Sequence, residues 1–202
     1  MYLIIKAVKH AYQTIKRSIE LQKYNNFTIA EYFRKKGAQI GEGCYIVPRR
    51  LGAEPYLVKI GNHVGIMEEV HLHTHDGGTW IFREEMPDLR MFGPIIIEDN
   101  CLIGMGAHIL PGVTIGRNSI VSAGSVIITD VPPDSIVMGV PARRFGSVEK
   151  YREKCINAWK EQKPPHFDQS SLMHYELASN QKIILRQLRE HLSEIFKERL
   201  SK

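Results

Sequence analysis

His71, His73 and His75 stand at alternate positions in the run His71-Leu-His-Thr-His75, directly before Asp76. An imidazole of ordinary pKa is largely neutral at pH 7, so any of the three can accept a hydroxyl proton as a general base. One histidine alone is more often structural. Three within five residues mark the segment as a candidate site, although spacing does not choose among them. The chain then runs from Asp76 to Pro94 through Trp80, Phe82, Arg83, Arg90 and Phe92. Rings and guanidinium groups in one loop can form a wall for a sugar or another polar acceptor, and Trp80, Phe82 and Arg83 are the expected acceptor-binding residues. The plainer alternative is a loop that packs on its own core or reaches a neighbouring subunit.

The elements that must hold these residues follow from an unusual period. Ile97, Ile103, Ile109, Ile115, Val121 and Ile127 recur every six residues without a slip, which is neither a helix nor a strand period. Four positions after each stands Cys101, Ala107, Val113, Ser119, Ser125 or Val131, mostly small residues suited to a tight turn beside a core position. Asn100, Gly104, Gly106, Gly112, Gly116, Asn118 and Gly124 lie between, and are expected to supply positive φ at corners. A six-residue strand and corner cannot bury its own apolar face. Such units must wind into coils that stack, three units to a triangular coil, which is a parallel β-helix and an all-β core.

The same spacing occurs at Ile60, Ile66 and Leu72, and less regularly at Ile40 and Ile46. Two insertions interrupt it, one from Arg49 to Leu57 and a longer one from Asp76 to Pro94. A long loop inside so regular a repeat is usually functional. Cys44 and Cys101 fall on the small inward positions and read as core residues, without the neighbouring base and exposure that a nucleophile needs.

Helices flank the repeats. Residues 1–24 place Ile4, Val8, Ala11, Tyr12, Ile15 and Ile19 at three- and four-residue steps, an amphipathic helix expected to cover a core edge. A basic amphipathic helix can also lie on a membrane surface, but nothing in the sequence alone supports that peripheral contact here. Thr28 and Glu31 have capping-box spacing, and Gly37 supplies a stop for a second helix over 29–36. After Pro132-Pro133 and Pro141, Ser147 is a candidate cap for a helix to about Glu161, and Leu185, Leu188, Leu192, Ile195 and Leu200 form the stripe of a last helix over 181–200. The organisation expected is therefore 1–37 helical, 38–146 a β-helix with an external loop at 76–94, and 147–202 a helical extension.

The bulk composition narrows the classes. With 43% hydrophobic and 24% charged residues, the chain reads as an ordinary globular protein rather than a disordered one. A net charge of +5 suits a polyanionic partner or simply a mildly basic surface. Arg49-Arg50 and Arg143-Arg144 are isolated pairs, so a nucleic-acid patch is not expected. Cys44, Cys101 and Cys155 form no CxxC and leave one over from any pairing, which points to a reducing cytoplasm and away from a disulfide framework or a cysteine zinc site. Lys6, Lys9, Lys16 and Arg17 break up the apolar N-terminal residues, so a signal peptide is not expected.

Three strings in order, Ile103-Gly-Met-Gly-Ala-His-Ile-Leu-Pro-Gly-Val-Thr-Ile-Gly116, Val121-Ser-Ala-Gly-Ser-Val126, and Asp130-Val-Pro-Pro133 with Gly139-Val-Pro-Ala-Arg143, resemble the last coils of the hexapeptide-repeat acyltransferases. That superfamily includes galactoside, maltose, xenobiotic and serine acetyltransferases, and the resemblance covers roughly 38–146. Thr74-His75-Asp76-Gly77-Gly78-Thr79-Trp80 is further similar to polysaccharide and lipopolysaccharide O-acetyltransferases. The resemblance implies a left-handed helix, an exception to the usual crossover hand, and a homotrimer with its sites between subunits. It implies acetyl-CoA as acyl donor, no metal, and acyl transfer to a hydroxyl of a sugar or surface-polysaccharide precursor.

By the same likeness His75 is the base in a direct ternary complex. A carboxylate can hold its ring in the right tautomer, and Glu54, in the first insertion one coil earlier, and Asp76 are the candidates. Met105 and Ala123 line the pantetheine groove, and Arg143, assisted by Arg144, meets the CoA phosphates, where a guanidinium suits the geometry. Backbone N–H groups at the glycine-rich corners can stabilise the oxyanion. The chain departs from the family in having Ile128-Thr129 where a Thr-Lys pair is common and Leu102 where an aromatic residue is common. N-acylation of an amino-sugar nucleotide and drug acetylation are the neighbouring alternatives. More distant ones are a γ-carbonic-anhydrase-like zinc enzyme using His73, His75 and His108, whose spacing fits that family poorly, and a non-catalytic trimeric scaffold.

Overall fold

The computed structural model describes residues 2–165, 167 and 181–201. By its contacts the chain divides into two compact units, Met1–Glu149 and Lys150–Lys202. Thirteen short strands occupy the first unit: β1 (Gln39–Ile40), β2 (Tyr45–Ile46), β3 (Val58–Ile60), β4 (Gly65–Ile66), β5 (His71–Leu72), β6 (Ile95–Ile97), β7 (Leu102–Ile103), β8 (His108–Ile109), β9 (Thr114–Ile115), β10 (Ile120–Val121), β11 (Val126–Ile127), β12 (Ser135–Gly139) and β13 (Ala142–Ser147).

The coils arise because the chain visits three parallel sheets in rotation. β1, β3, β6 and β9 form the first sheet, β2, β4, β7 and β10 the core of the second, and β5, β8 and β11 the third. The register places like on like: Ile40, Ile60, Ile97 and Ile115 pair down the first sheet. Ile46, Ile66, Ile103 and Val121 do so in the second, and Leu72, Ile109 and Ile127 in the third. All of these side chains are buried, as are Cys101, Ala107, Val113, Ser119, Ser125 and Val131 four residues on. Each buried aliphatic side chain stabilises the stack by about 1.5–3 kcal/mol.

Each insertion occupies a definite place in this rotation. The first coil has β1 and β2 but no third strand. Where that strand would run, the chain instead makes the Arg49–Leu57 excursion, ending in a 3₁₀ turn at Pro55–Leu57. The longer insertion leaves at the end of β5 and returns at β6, one coil further on.

The corners divide into two kinds. Gly106, Gly112, Gly124, Asn100 and Asn118 adopt positive φ as expected, whereas Gly104 and Gly116 do not. Those two are required by close approach: a Cβ at Gly104 would lie 2.5 Å from the Ala123 nitrogen of the next coil, and one at Gly116 would lie 2.6 Å from the Pro133 nitrogen. His63, Glu69 and Asp134 also take left-handed backbone, which the composition of their turns did not signal. One corner is stitched by a polar ladder. His63 Nδ1 meets Asn100 Oδ1 at 2.7 Å, Asn100 Nδ2 donates to Asn118 Oδ1 at 2.7 Å, and Asn118 Nδ2 donates to Asp134 Oδ1 at 3.0 Å. These contacts help offset a left-handed penalty of about 1–2 kcal/mol per non-glycine residue.

After the proline-marked corner, β12 continues the second sheet beside β10 and then folds back on β13 as an antiparallel pair. Three features differ from expectation. The second helix, α2 at Ile29–Lys35, lays Ile29, Ala30, Tyr32 and Phe33 over the first coil, but no Thr28–Glu31 capping box forms. Asn25 organises the turn instead, its Oδ1 accepting from the backbone N–H groups of Phe27 and Thr28. The first helix, α1 at Tyr2–Leu21, does not cover a core edge along its stripe: Val8, Tyr12, Ile15 and Ile19 are exposed, and only Leu21 and the following Tyr24 pack against the core. The second unit carries most of α3 (Val148–Gln162), with α4 (Gln181–Ile195) and α5 (Lys197–Leu200), so the expected last helix breaks at Phe196.

The two kinds of corner make a direct test. Nothing lies within 4 Å of a Cβ built on Gly106, so Gly106→Ala carries only backbone strain, about 1 kcal/mol. Gly104→Ala must push two coils apart and is expected to cost about 3 kcal/mol. Equilibrium urea unfolding of the two variants checks the difference, and equal losses would contradict the close-approach account.

Candidate active site

Strand alternation sorts the histidine run. Leu72 and Thr74 point inward and are buried, and so His71, His73 and His75 all project from the outer face of the third sheet. Beyond β5 the chain stays extended until Asp76, and the long loop closes on itself there. The Asp76 N–H donates to the Met91 carbonyl at 2.9 Å, the Gly93 N–H donates to the Thr74 carbonyl at 3.0 Å, and His75 bridges Phe92 in antiparallel fashion. His75 is thus fixed at the mouth of the loop.

The three histidines are not equivalent. His71 pairs in register with His108 of β8, and their rings stack with centroids 4.8 Å apart. His73 stacks on His108 at an interplanar angle of 14°, and its Nε2 lies 2.9 Å from His108 Nδ1. Burial, then the proximity of His108, His71 and His75, pushes the His73 imidazole below its usual pKa. A neutral ring can share one proton with His108 in that contact. His73 and His108 turn nitrogens toward each other, and among the described residues no group of three or more His, Cys, Asp or Glu side chains is arranged to hold a metal ion.

His75 has a different partner. Its Nδ1 lies 3.0 Å from Glu54 Oε2, with the imidazole about half exposed (47%) and the carboxylate largely covered (16%). Glu54 reaches it because the first insertion replaces the third side of the coil directly below. Thr74 secures the contact: its Oγ1 donates to Glu54 Oε2 in a short hydrogen bond and accepts from the Glu54 N–H at 3.3 Å. Burial alone would raise the Glu54 pKa, but the hydrogen bonds from His75 and Thr74 and the electrostatic influence of the nearby imidazole prevail, and the net direction is down. An ionised carboxylate only accepts, so the proton of a neutral His75 sits on Nδ1 and the lone pair on Nε2 is left for chemistry.

Two clefts flank His75. On the coil side, a cleft of about 320 Å³ is walled by His73, His108, Leu110, Pro111 and Val126. On the loop side, one of about 190 Å³ is walled by Glu54, Thr79, Arg83, Arg90, Met91 and Phe92. His75, Asp76 and Gly77 belong to both. Such a ring, reachable from two sides, can pass a proton between two bound molecules.

The remaining candidates fall into place around this centre. Asp76 does not meet the imidazole in a hydrogen bond. Its Oδ1 accepts from the Gly78 N–H at 2.7 Å and caps the 3₁₀ turn Gly77–Phe82. Arg83 lines the loop-side cleft and lays its guanidinium 4.6 Å over the Trp80 ring, while Trp80 and Phe82 themselves are exposed and stand outside the cleft wall. Phe92 meets His75 edge-on at 6.1 Å. Met105 and Ala123 share one corner, with the Gly124 N–H donating to the Met105 carbonyl at 2.8 Å, and both are exposed. Arg143 and Arg144 are exposed on β13, where Arg143 Nη1 reaches only the Ala142 carbonyl, at 2.9 Å, among its described hydrogen bonds.

Thr74 and the partnership of His73 with His108 were missed from sequence. A polar residue on an inward position was the available sign of the first. Aligning the coils above one another, across the insertion, would have shown the second.

A family model described as bacterial transferase hexapeptide (six repeats) matches residues 94–129. The protein CapG of Staphylococcus aureus is 42% identical over 126 residues, which cover 61% of this chain and 73% of that one. Galactoside O-acetyltransferase of Escherichia coli is 40% identical over 105 residues, 52% of this chain and 51% of the relative, so the match spans about half that enzyme's length. The crystal structure of a hexapeptide-repeat-containing acetyltransferase from Vibrio cholerae superposes with a TM-score of 0.53 at 26% identity, over 68% of this chain and 89% of that one. The repeat, the stacked coils and this extent of identity agree: the chain belongs to the hexapeptide-repeat acyltransferases.

Proposed function

We propose that this protein transfers an acetyl group from acetyl-CoA to a hydroxyl of a sugar or surface-polysaccharide precursor, with His75 as general base. The observation that supports this most directly is the Glu54–His75 pair, with Nε2 left open between two clefts. The thioester approaches from the coil side and the acceptor from the loop side. His75 Nε2 takes the hydroxyl proton as the oxygen attacks the thioester carbonyl, the C–S bond breaks, and the proton passes to the departing thiolate. The products are an acetyl ester and free CoA, and no acyl-enzyme is needed.

In this reading Glu54 is the positioning carboxylate and Asp76 shapes the loop that opens beside it. Met105 and Ala123 lie along the pantetheine, and Arg143 and Arg144 supply positive charge for the CoA phosphates. Arg83, with Trp80 and Phe82 on the same turn, receives the acceptor. The coils wind left-handed and the protein assembles as a homotrimer, as the family likeness implies, and the three cysteines without a CxxC pattern fit a reducing cytoplasm. Among the described residues no helix is long and apolar enough to cross a membrane.

His75→Ala is expected to lower kcat by about 10²–10⁴-fold with the affinity for acetyl-CoA retained, measured by thiol release with an acceptor on which the wild type is active. Unchanged turnover would remove His75 from the mechanism. Glu54→Gln keeps the shape but lets an amide donate to Nδ1 and favour the wrong tautomer. A loss of about ten-fold or more in kcat is expected, with little change in KM.

The same variant reports on stability. The Glu54 pKa is depressed by folding, so its contribution is fully present above the unfolded value and is lost as pH falls through the folded one. The Tm advantage of wild type over Glu54→Gln is therefore expected to hold near neutrality and to shrink below about pH 4.5. A constant difference across that range would show that Glu54 is not held in its ionised form.

A further inference from the structure

We propose that α1 is an interfacial helix that seats this protein on an anionic phospholipid bilayer. The surface is independent of the acyl-transfer chemistry proposed above. Ile5, Val8, Tyr12, Ile15 and Ile19 follow one another at steps of three and four residues, and their exposures are 59, 63, 64, 59 and 57%. A row of five large apolar side chains on one helix face, all more than half exposed, is a patch that soluble surfaces rarely leave uncovered. Near its C-terminal end the helix is joined to the coils through Leu21 and through Arg17 Nη2, which donates to the Arg49 carbonyl at 2.8 Å.

Charge identifies the occupant. At about 100° per residue, Lys9 and Lys16 border the stripe beside Ile5 and Tyr12, with Lys6 and Arg17 further round the polar face. Glu20 is the only acid on the helix, so α1 carries a charge of +3 from Lys6, Lys9, Lys16 and Arg17 against Glu20. The same flank leads into a groove of about 600 Å³ between α1 and α2, where Lys16, Arg17, Lys23 and Lys36 gather around Tyr32 and Glu20. Lysine stems can lie along apolar surface while their ammonium groups reach phosphate.

A second copy of α1 laid antiparallel on this face would set the edge that carries Lys9 and Lys16 beside the same edge of its twin, with one glutamate per helix to answer the like charges. An anionic headgroup layer meets that edge with opposite charge. Too polar and too interrupted to span, the helix would lie in the plane of the surface, with its apolar face at the acyl boundary.

The test is co-sedimentation of the full chain with vesicles of phosphatidylcholine alone and of phosphatidylcholine containing about 30% phosphatidylglycerol. Binding is expected to the anionic vesicles, to weaken as salt is raised, and to fall about five-fold for each of Lys9→Gln and Lys16→Gln. Val8→Glu combined with Ile15→Glu should abolish it without moving the Tm of the coils. Binding to neither vesicle would overturn the proposal, and so would binding that survives Val8→Glu with Ile15→Glu. If the wild type binds neither vesicle and that variant has a smaller particle mass in sedimentation equilibrium, the stripe belongs to contact between copies.

Discussion

Inward aliphatic residues stacked in register bear on everything else in the first unit. Ile46, Ile66, Ile103 and Val121 sit one above another, and parallel columns run down the other two sheets. Most of the strands have two residues and are too short to be stable by themselves, because such a strand pairs few backbone groups and buries one side chain. Stability comes from neighbours. A shift of one residue in any coil would turn its aliphatic side chain outward and leave a void in the column. The period is therefore held strictly, and departures from it are confined to loops that leave a coil and rejoin it in register.

That constraint explains where the chemistry is. A scaffold this regular offers no concavity of its own, so a site must be made by the segments that interrupt it. The first excursion takes the place of a strand and brings Glu54 beneath the end of β5. The second begins one residue after His75 and closes through Met91, Phe92 and Gly93. Between them they give one imidazole a carboxylate on one nitrogen and access on the other. Thr74, buried and bonded to Glu54 from the inward face, ties this pair directly into the wall of the coil. The neighbouring His73 is turned to His108 instead, which shows how adjacent residues of the same type acquire different chemistry from the strands beside them.

Polar groups and backbone conformation are accommodated by the same stacking. Asn100, Asn118 and Asp134 occupy left-handed corners in successive coils, and their side chains bond from one coil to the next. Ser119 and Ser125, at inward positions, are buried yet satisfied: Ser119 Oγ donates to the Pro132 carbonyl at 3.1 Å, and Ser125 Oγ accepts from the Gly139 N–H at 3.2 Å. The hairpin of β12 and β13 uses that second contact to close the last coil, so the exit is packed rather than frayed.

The sequence by itself determined the coils, because a six-residue period with an aliphatic position and a small one has only one way to bury both, and that way is repeated stacking. It also showed where the repeat is broken, and His75, Glu54 and the loop residues stand at those breaks. Tertiary structure alone decided which carboxylate meets which histidine. Asp76 is adjacent in the chain but turns to cap its own loop, while Glu54, twenty-one residues away, lies one coil below. Proximity in sequence is a poor guide in a solenoid, where the nearest neighbours of a side chain belong to the coils above and below. For the same reason the corner glycines could be read as turns but not divided into those that need positive φ and those that make room for the next coil. The amphipathic period of α1 was legible as well, but whether its stripe met a core or water depended on where the helix emerged from the first coil, and no local pattern records that.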